Sequence, residues 1–190
     1  MSPATPWARS AGVTLIEVAI TVTILAILAA VALPAFNNVI LANRLAAGAN
    51  ELVGSLQVAR SEAIRRGSRV AVCASSSGTA CGGNWSSGWI VFEDRNRDGA
   101  VSSGETVLRV QPALDGLEVL ESSNIGTSIV FRPDGMARRT TGALLAGRLS
   151  VCKAATGVPQ NVRQIEIASG SRISLSRVNG SGTCAAPANP

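Results

Sequence analysis

Gly12-Val13-Thr14-Leu15-Ile16-Glu17 leads into Val18 to Leu33, a run without a charge, which closes on Pro34-Ala35-Phe36. From Val13 to Leu33 the only ionisable side chain is Glu17, and everything else is apolar apart from three threonines. A helix needs roughly 20 apolar residues to span a bilayer, and this stretch supplies them. The glutamate is the anomaly. A carboxylate inside an apolar helix is costly unless it lies near an interface or finds a partner, so by default it marks function.

Three readings compete for this stretch. A removable secretory signal would use Arg9 as its basic region and Ala30-Val31-Ala32 as a small-residue cleavage site. Such signals have an apolar core of about 7–15 residues, whereas this run is longer and has a carboxylate at its start. An ordinary membrane anchor would let Glu17 snorkel toward the headgroups. The third reading rests on Gly12 followed by Val13-Thr14-Leu15-Ile16-Glu17. This closely resembles the processing site of type IV pilins and their relatives, where a prepilin peptidase cuts after the glycine. Glycine, hydrophobic run and glutamate all stand at the family's spacing, with Val13 where the family usually has phenylalanine. The third reading is preferred for that spacing.

The remainder of the 190 residues is enough for one domain of ordinary size. Mean hydropathy is +0.29, much of it contributed by the N-terminal run. The formal charge is +5, and Lys153 is the only lysine, so the positive charge is almost all arginine. Arginine binds phosphate bidentately, which makes a phosphate-binding surface the sharper alternative to a compositional bias. Acids gather from Glu93 to Glu121, while Arg132 to Arg177 is mostly basic. There is no histidine, so the commonest general base and metal ligand is missing. No nucleophile–base set, P-loop or dinucleotide fingerprint is present either, and the chain is not expected to be an enzyme.

Cys73, Cys81, Cys152 and Cys184 lack zinc-site spacing. An even count in an exported domain suggests disulfides, and four cysteines allow three pairings that sequence does not choose between. The expectation adopted is Cys73–Cys81, closing a Ser/Gly-rich loop, and Cys152–Cys184, tying a low-complexity tail to a strand.

Beyond Ala35 the helical pattern becomes amphipathic. Leu45, Ala49, Leu52, Leu56, Ala59 and Ala63 recur at spacings of four and three and share one helix face. Glu62 and Arg66 stand at i,i+4 in the favourable order, and Gly67 reads as a C-cap. One helix from Val13 to about Arg66 is predicted, kinked or loosened at Pro34. Strands follow at 69–74, 89–92, 106–110, 117–120, 128–131, 149–152, 162–168 and 173–178, separated by turns short enough to predict a mainly antiparallel sheet. The expected divisions are a leader (1–12), a membrane and assembly helix (13–36), an amphipathic half-helix (37–67) and a β-rich domain (68–190).

From Gly12 to about Val178 this α+β layout resembles the GspH/FimT type of pseudopilin and minor pilin. Beyond the N-terminal motif, the resemblance rests on Leu56 to Ala63, Gly88 to Asp94 and Val130 to Gly135. It implies a single-pass protein of the bacterial inner membrane with a periplasmic C-terminal domain. After peptidase cleavage between Gly12 and Val13 and N-methylation of Val13, such a chain joins other subunits in a type IV pilus or a type II secretion pseudopilus. Glu17 would set register by pairing with the freed Val13 amine of a neighbour.

Two other constellations remain. Asp94, Asn96, Asp98, Gly99, Val101 and Glu105 occupy positions 1, 3, 5, 6, 8 and 12 of an EF-hand-like loop. Hard oxygen donors suit calcium, but the flanks read as strands, and Arg95 and Arg97 add positive charge; a polar hairpin loop is the plainer reading. No other cofactor is expected. Arg138, Arg139, Arg148, Lys153, Arg163, Arg172 and Arg177 would line one basic surface. Some FimT-type minor pilins bind DNA for uptake through a Gly-Arg-x-Arg motif. Here the region reads Gly170-Ser171-Arg172-Ile173-Ser174-Leu175-Ser176-Arg177, in which only Arg172 fits. A DNA-binding minor pilin is therefore the alternative function, with binding expected to be weak, and a plain anchored periplasmic domain is a third.

Overall fold

The computed structural model of the chain describes residues 12–155, 158 and 160–190, with the side chains of residues 31, 34 and 35 outside that description. The expected leader lies outside it as well, apart from Gly12. The chain divides into two compact units, Met1–Ile40 and Leu41–Pro190.

Helix α1 spans Leu15–Arg66, and Pro34 does not end it. In the first unit its start is built by Thr14, whose Oγ1 accepts the Glu17 N–H at 3.3 Å while its carbonyl accepts from Val18. Thr14 is thus an N-cap, and Glu17 stands three residues on, where a carboxylate complements the positive end of the helix. Leu15, Ile16, Ile20, Ile24, Leu25 and Leu28 are exposed in the single chain. No helix among the described residues is long and apolar enough to cross a membrane.

The second unit holds the rest of α1 and nine strands. These are β1 (Val70–Ala74), β2 (Gly88–Glu93), β3 (Val107–Pro112), β4 (Glu118–Glu121), β5 (Ser128–Phe131), β6 (Ala137–Arg138), β7 (Gly147–Cys152), β8 (Val162–Ile167) and β9 (Ile173–Val178). They form two sheets rather than one: β3-β2-β1-β5-β6 and β4-β7-β8-β9. Every strand pair is antiparallel. The expected strands are all present, and β6 is an addition too short to leave a period in the sequence.

The predicted helix stripe is the one that is buried: Leu45, Ala49, Leu52, Leu56, Ala59 and Ala63 have no exposed surface. They share one core with Val72, Val91, Ile129 and Phe131 of the first sheet and with Leu149, Val151 and Ile165 of the second. Small residues on the stripe allow close approach. A Cβ on Gly48 would come within 2.8 Å of Leu114 Cδ1 and 3.0 Å of Leu117 Cδ1. A short 3₁₀ turn, Trp85–Ser87, ties the sheets together, because Ser86 Oγ both donates to the Val119 carbonyl and accepts its N–H.

The outer face of the first sheet is also covered. Ala71, Cys73, Ile90, Phe92 and Val130 form a second apolar cluster, against which Cys81, Val101 and Val107 pack. The two polar loops, 75–87 and 94–106, are therefore lids on a sheet whose strands β1, β2 and β5 are buried on both sides.

Candidate functional site

The N-terminal segment is best understood polar group by polar group. Thr21 Oγ1 donates to the Val18 carbonyl at 2.9 Å, and Thr23 Oγ1 donates to the Ala19 carbonyl at 2.7 Å. Back-bonded threonines need nothing from their surroundings and suit an apolar environment. Thr14 is used as the cap. Glu17 differs: among the described residues its carboxylate accepts no hydrogen bond and makes no ion pair. Gly12 and Val13 precede the helix and are exposed. Thr14-x-x-Glu17 is a capping pattern, a local signal in the sequence that overlaps the pilin-like spacing.

Both expected disulfides form, Cys73–Cys81 with Cα atoms 5.6 Å apart and Cys152–Cys184 with 5.8 Å. The first anchors the loop that lids β1. The second starts a strap: Asn161 Nδ2 donates to the Thr183 carbonyl, and Arg148 donates to the Ala188 and Asn189 carbonyls, so the tail lies along the second sheet.

The Asp94–Glu105 loop satisfies itself. Asp94 Oδ1 accepts from the Gly99 N–H, Asn96 Oδ1 from Asp98 and Asp98 Oδ1 from Ala100. Glu105 uses both oxygens on backbone donors, Oε1 for Arg95 and Asn96 and Oε2 for Ser102. These bonds hold the Asp98 carboxyl below its usual range, the Ala100 N–H contributing most. Asp94 goes the other way, because burial raises it despite the Gly99 N–H. Among the described residues, the group of ligand atoms close enough together for one ion is Glu118 with Cys152 and Cys184, not this loop, and those two sulfurs are joined to each other.

The basic surface expected from the C-terminal third is dispersed. Arg138 lies on β6 of the first sheet, whereas Arg177 is on β9 of the second, and Arg172 directly precedes β9. Arg139 borders a separate depression with Thr140 and Ser123. Arg148 is bound to Glu166 at 2.8 Å. Arg163 corrects the expectation outright: it is buried, and its guanidinium donates to the Gln160 and Val162 carbonyls. Arg95 and Arg97, assigned by sequence to an acidic loop, instead share a cleft with Arg69, Arg132 and Arg138.

A family model described as type II transport protein GspH matches residues 48–176, more than half of the chain. The prokaryotic N-terminal methylation motif matches residues 7–33. No curated protein matches the sequence. Among solved structures, the type IV minor pilin FimU of Pseudomonas aeruginosa is similar with a TM-score of 0.52 at 22% identity, over 70% of this chain and 89% of that one. A second crystal form of FimU gives 0.51 and covers 92% of that chain. The minor pseudopilin EpsH from the type 2 secretion system of Vibrio cholerae gives 0.49 at 12% identity, over 70% of this chain and 97% of that one. The likeness to FimU is one of fold: a helix packed on antiparallel sheets.

Proposed function

The chain belongs to the type II transport protein GspH family, and on that premise we propose that it is a minor subunit of a pilus-like filament, a minor pilin or pseudopilin. The apolar start of α1 resides in the inner membrane before assembly, with the β-rich unit on the periplasmic side. A prepilin peptidase cuts between Gly12 and Val13, and the new Val13 amine is methylated. The helix then passes into the filament core, exchanging lipid for protein contacts at modest net free energy.

One observation carries the reading. In a segment whose threonines are all satisfied within the helix, the Glu17 carboxylate is left without a partner among the described residues. An ionised group without a partner is strongly disfavoured in an apolar assembly. The freed Val13 amine of an adjacent subunit is the complementary charge, so the pair sets register.

Intact-mass analysis of membrane-extracted protein tests this. The expected species begins at Val13 and carries one extra methyl group. A mature N-terminus at Leu33 would establish a secretory signal instead, and an uncut chain would establish a plain anchor. A deletion strain assayed for both piliation and exoprotein secretion then assigns the filament.

A further inference from the structure

Away from the N-terminal segment, antiparallel pairing brings the ends of three strands to one place. Val70 is in register with Glu93 on one side and with Phe131 on the other. Arg69, one residue earlier, therefore sits between Asp94 and Arg132, and the Asp94 N–H donates to the Arg69 carbonyl at 2.9 Å. The loop after β2 adds Arg95 and Arg97 on one flank, and β6 adds Arg138 on the other. Together these residues line an open cleft of about 430 Å³.

The protein does not neutralise this cleft. Arg69, Arg95, Arg97, Arg132 and Arg138 line it, and the acids within 4.0 Å of them are Glu93, Asp94 and Asp134, five cations against three anions. Only Glu93–Arg95 is close, at 3.0 Å; Arg69–Asp94, Arg132–Asp134 and Arg138–Asp134 are 3.7, 3.9 and 4.0 Å. The loose pairs leave the buried Nε–H groups of Arg69 and Arg138 without an acceptor. Arg97 makes no ion pair among the described residues and is held at φ 69°, a left-handed conformation in which asparagine or glycine is more at home. Strain of this kind tends to persist where a side chain must be presented.

We propose that this cleft binds a terminal phosphate group, as inorganic phosphate or as a phosphomonoester. Guanidinium groups approach from both flanks of Arg69. A tetrahedral dianion offers oxygens to both sides, whereas a planar carboxylate offers a single bidentate edge. The charge excess suits a dianion better than the single charge of a phosphodiester. The site is independent of filament assembly and does not need that reading to hold.

The test is calorimetry on the full chain in detergent micelles at constant ionic strength. Inorganic phosphate and phenyl phosphate are expected to bind saturably with dissociation constants below about 1 mM. Acetate and a dinucleoside phosphodiester should bind at least about tenfold more weakly. Arg132→Gln should weaken phosphate binding about tenfold or more, as loss of a charged hydrogen bond requires. Arg97→Asn should do the same without loss of thermal stability, since asparagine tolerates that backbone. Arg172→Gln should leave binding unchanged. Tighter binding of phenyl phosphate than of phosphate would identify an esterified ligand as the source, and the reverse would identify the free ion. Absence of saturable binding by both, equal affinity for acetate or the phosphodiester, or an equal loss from Arg172→Gln would each overturn the proposal.

Discussion

Glu17 has two available roles whose energies differ enough to be separated. The first is local: the carboxylate stands in the first turn behind the Thr14 cap, where interaction with the helix terminus contributes about 0.3–1 kcal/mol. The second is between subunits: breaking a buried charge pair by removing one partner costs about 3–5 kcal/mol. Glu17→Gln separates the two, because glutamine also serves at this position of a capping box and spares the bilayer a charge. If the role is only local, incorporation into filaments should fall about 2–5-fold. If Glu17 pairs with the Val13 amine of a neighbour, incorporation should fall about 150-fold or more, while processing and membrane insertion are retained. Thr14→Val supplies the scale of a pure cap loss, about 1 kcal/mol or roughly 5-fold. The assay is competition: variant and tagged wild-type chains are co-expressed, and their ratio in sheared filaments is divided by their ratio in the membrane pool. A Glu17→Gln loss no larger than the Thr14→Val loss would refute the register role.

The disulfides should differ in weight. On the chain-entropy account, closing a separation of 8 residues contributes about 2.5 kcal/mol and closing 32 about 3.7 kcal/mol. The double variant Cys152→Ala/Cys184→Ala should therefore lower the urea midpoint more than Cys73→Ala/Cys81→Ala, and the opposite order would show that the lid over β1 matters more than loop length. For acid stability, hydrogen bonds from Arg65 and Arg66 lower Glu62 from 4.5 to about 2, and Arg95 chiefly holds Glu93 below its ordinary value. Depressed carboxylates contribute in full above the unfolded pKa of 4.5 and lose that contribution as pH falls through their folded values. The urea midpoint should fall between about pH 4.5 and 2, and Glu93→Gln should make that fall shallower; an unchanged slope would contradict the role given to Glu93. Calcium binding to the Asp94, Asn96, Asp98 and Glu105 loop is expected to be weak, since Glu105 already serves three backbone donors. Calorimetry that returned a dissociation constant below the micromolar range would show that those bonds give way to the ion.

What could be read from the sequence depended on how far apart the participating residues lie. The stripe from Leu45 to Ala63 is written at helical spacing within one element, and it is the stripe that is buried. The strands were legible for the same reason: each is a short apolar run between turn residues. β6 was not, because Ala137–Arg138 is two residues long and exists only through its pairing with β5. The division into two sheets was not legible either. It depends on β4 pairing with β7 rather than with its chain neighbour β3, a choice made by partners about 30 residues away.

The arginines give the clearest case of sequence and space disagreeing. Along the chain, Arg95 and Arg97 lie among acids, and Arg132 opens a basic stretch, which suggests two territories of opposite sign. Folding removes the distinction. β1 is the centre of its sheet and pairs antiparallel with both neighbours, with Val70 in register with Glu93 and with Phe131, so the residues that follow β2 and β5 both emerge beside Arg69. At the same time the carboxylates of the acidic stretch are consumed locally. Asp98 and Glu105 are turned onto backbone N–H groups of their own loop, and Glu93 is taken by Arg95 and Ser68. Acids that cap their own loop do little to offset a guanidinium facing out of it. The charge that matters at a surface is what remains after such local hydrogen bonds are made, and here the remainder is positive where the composition of the segment reads negative.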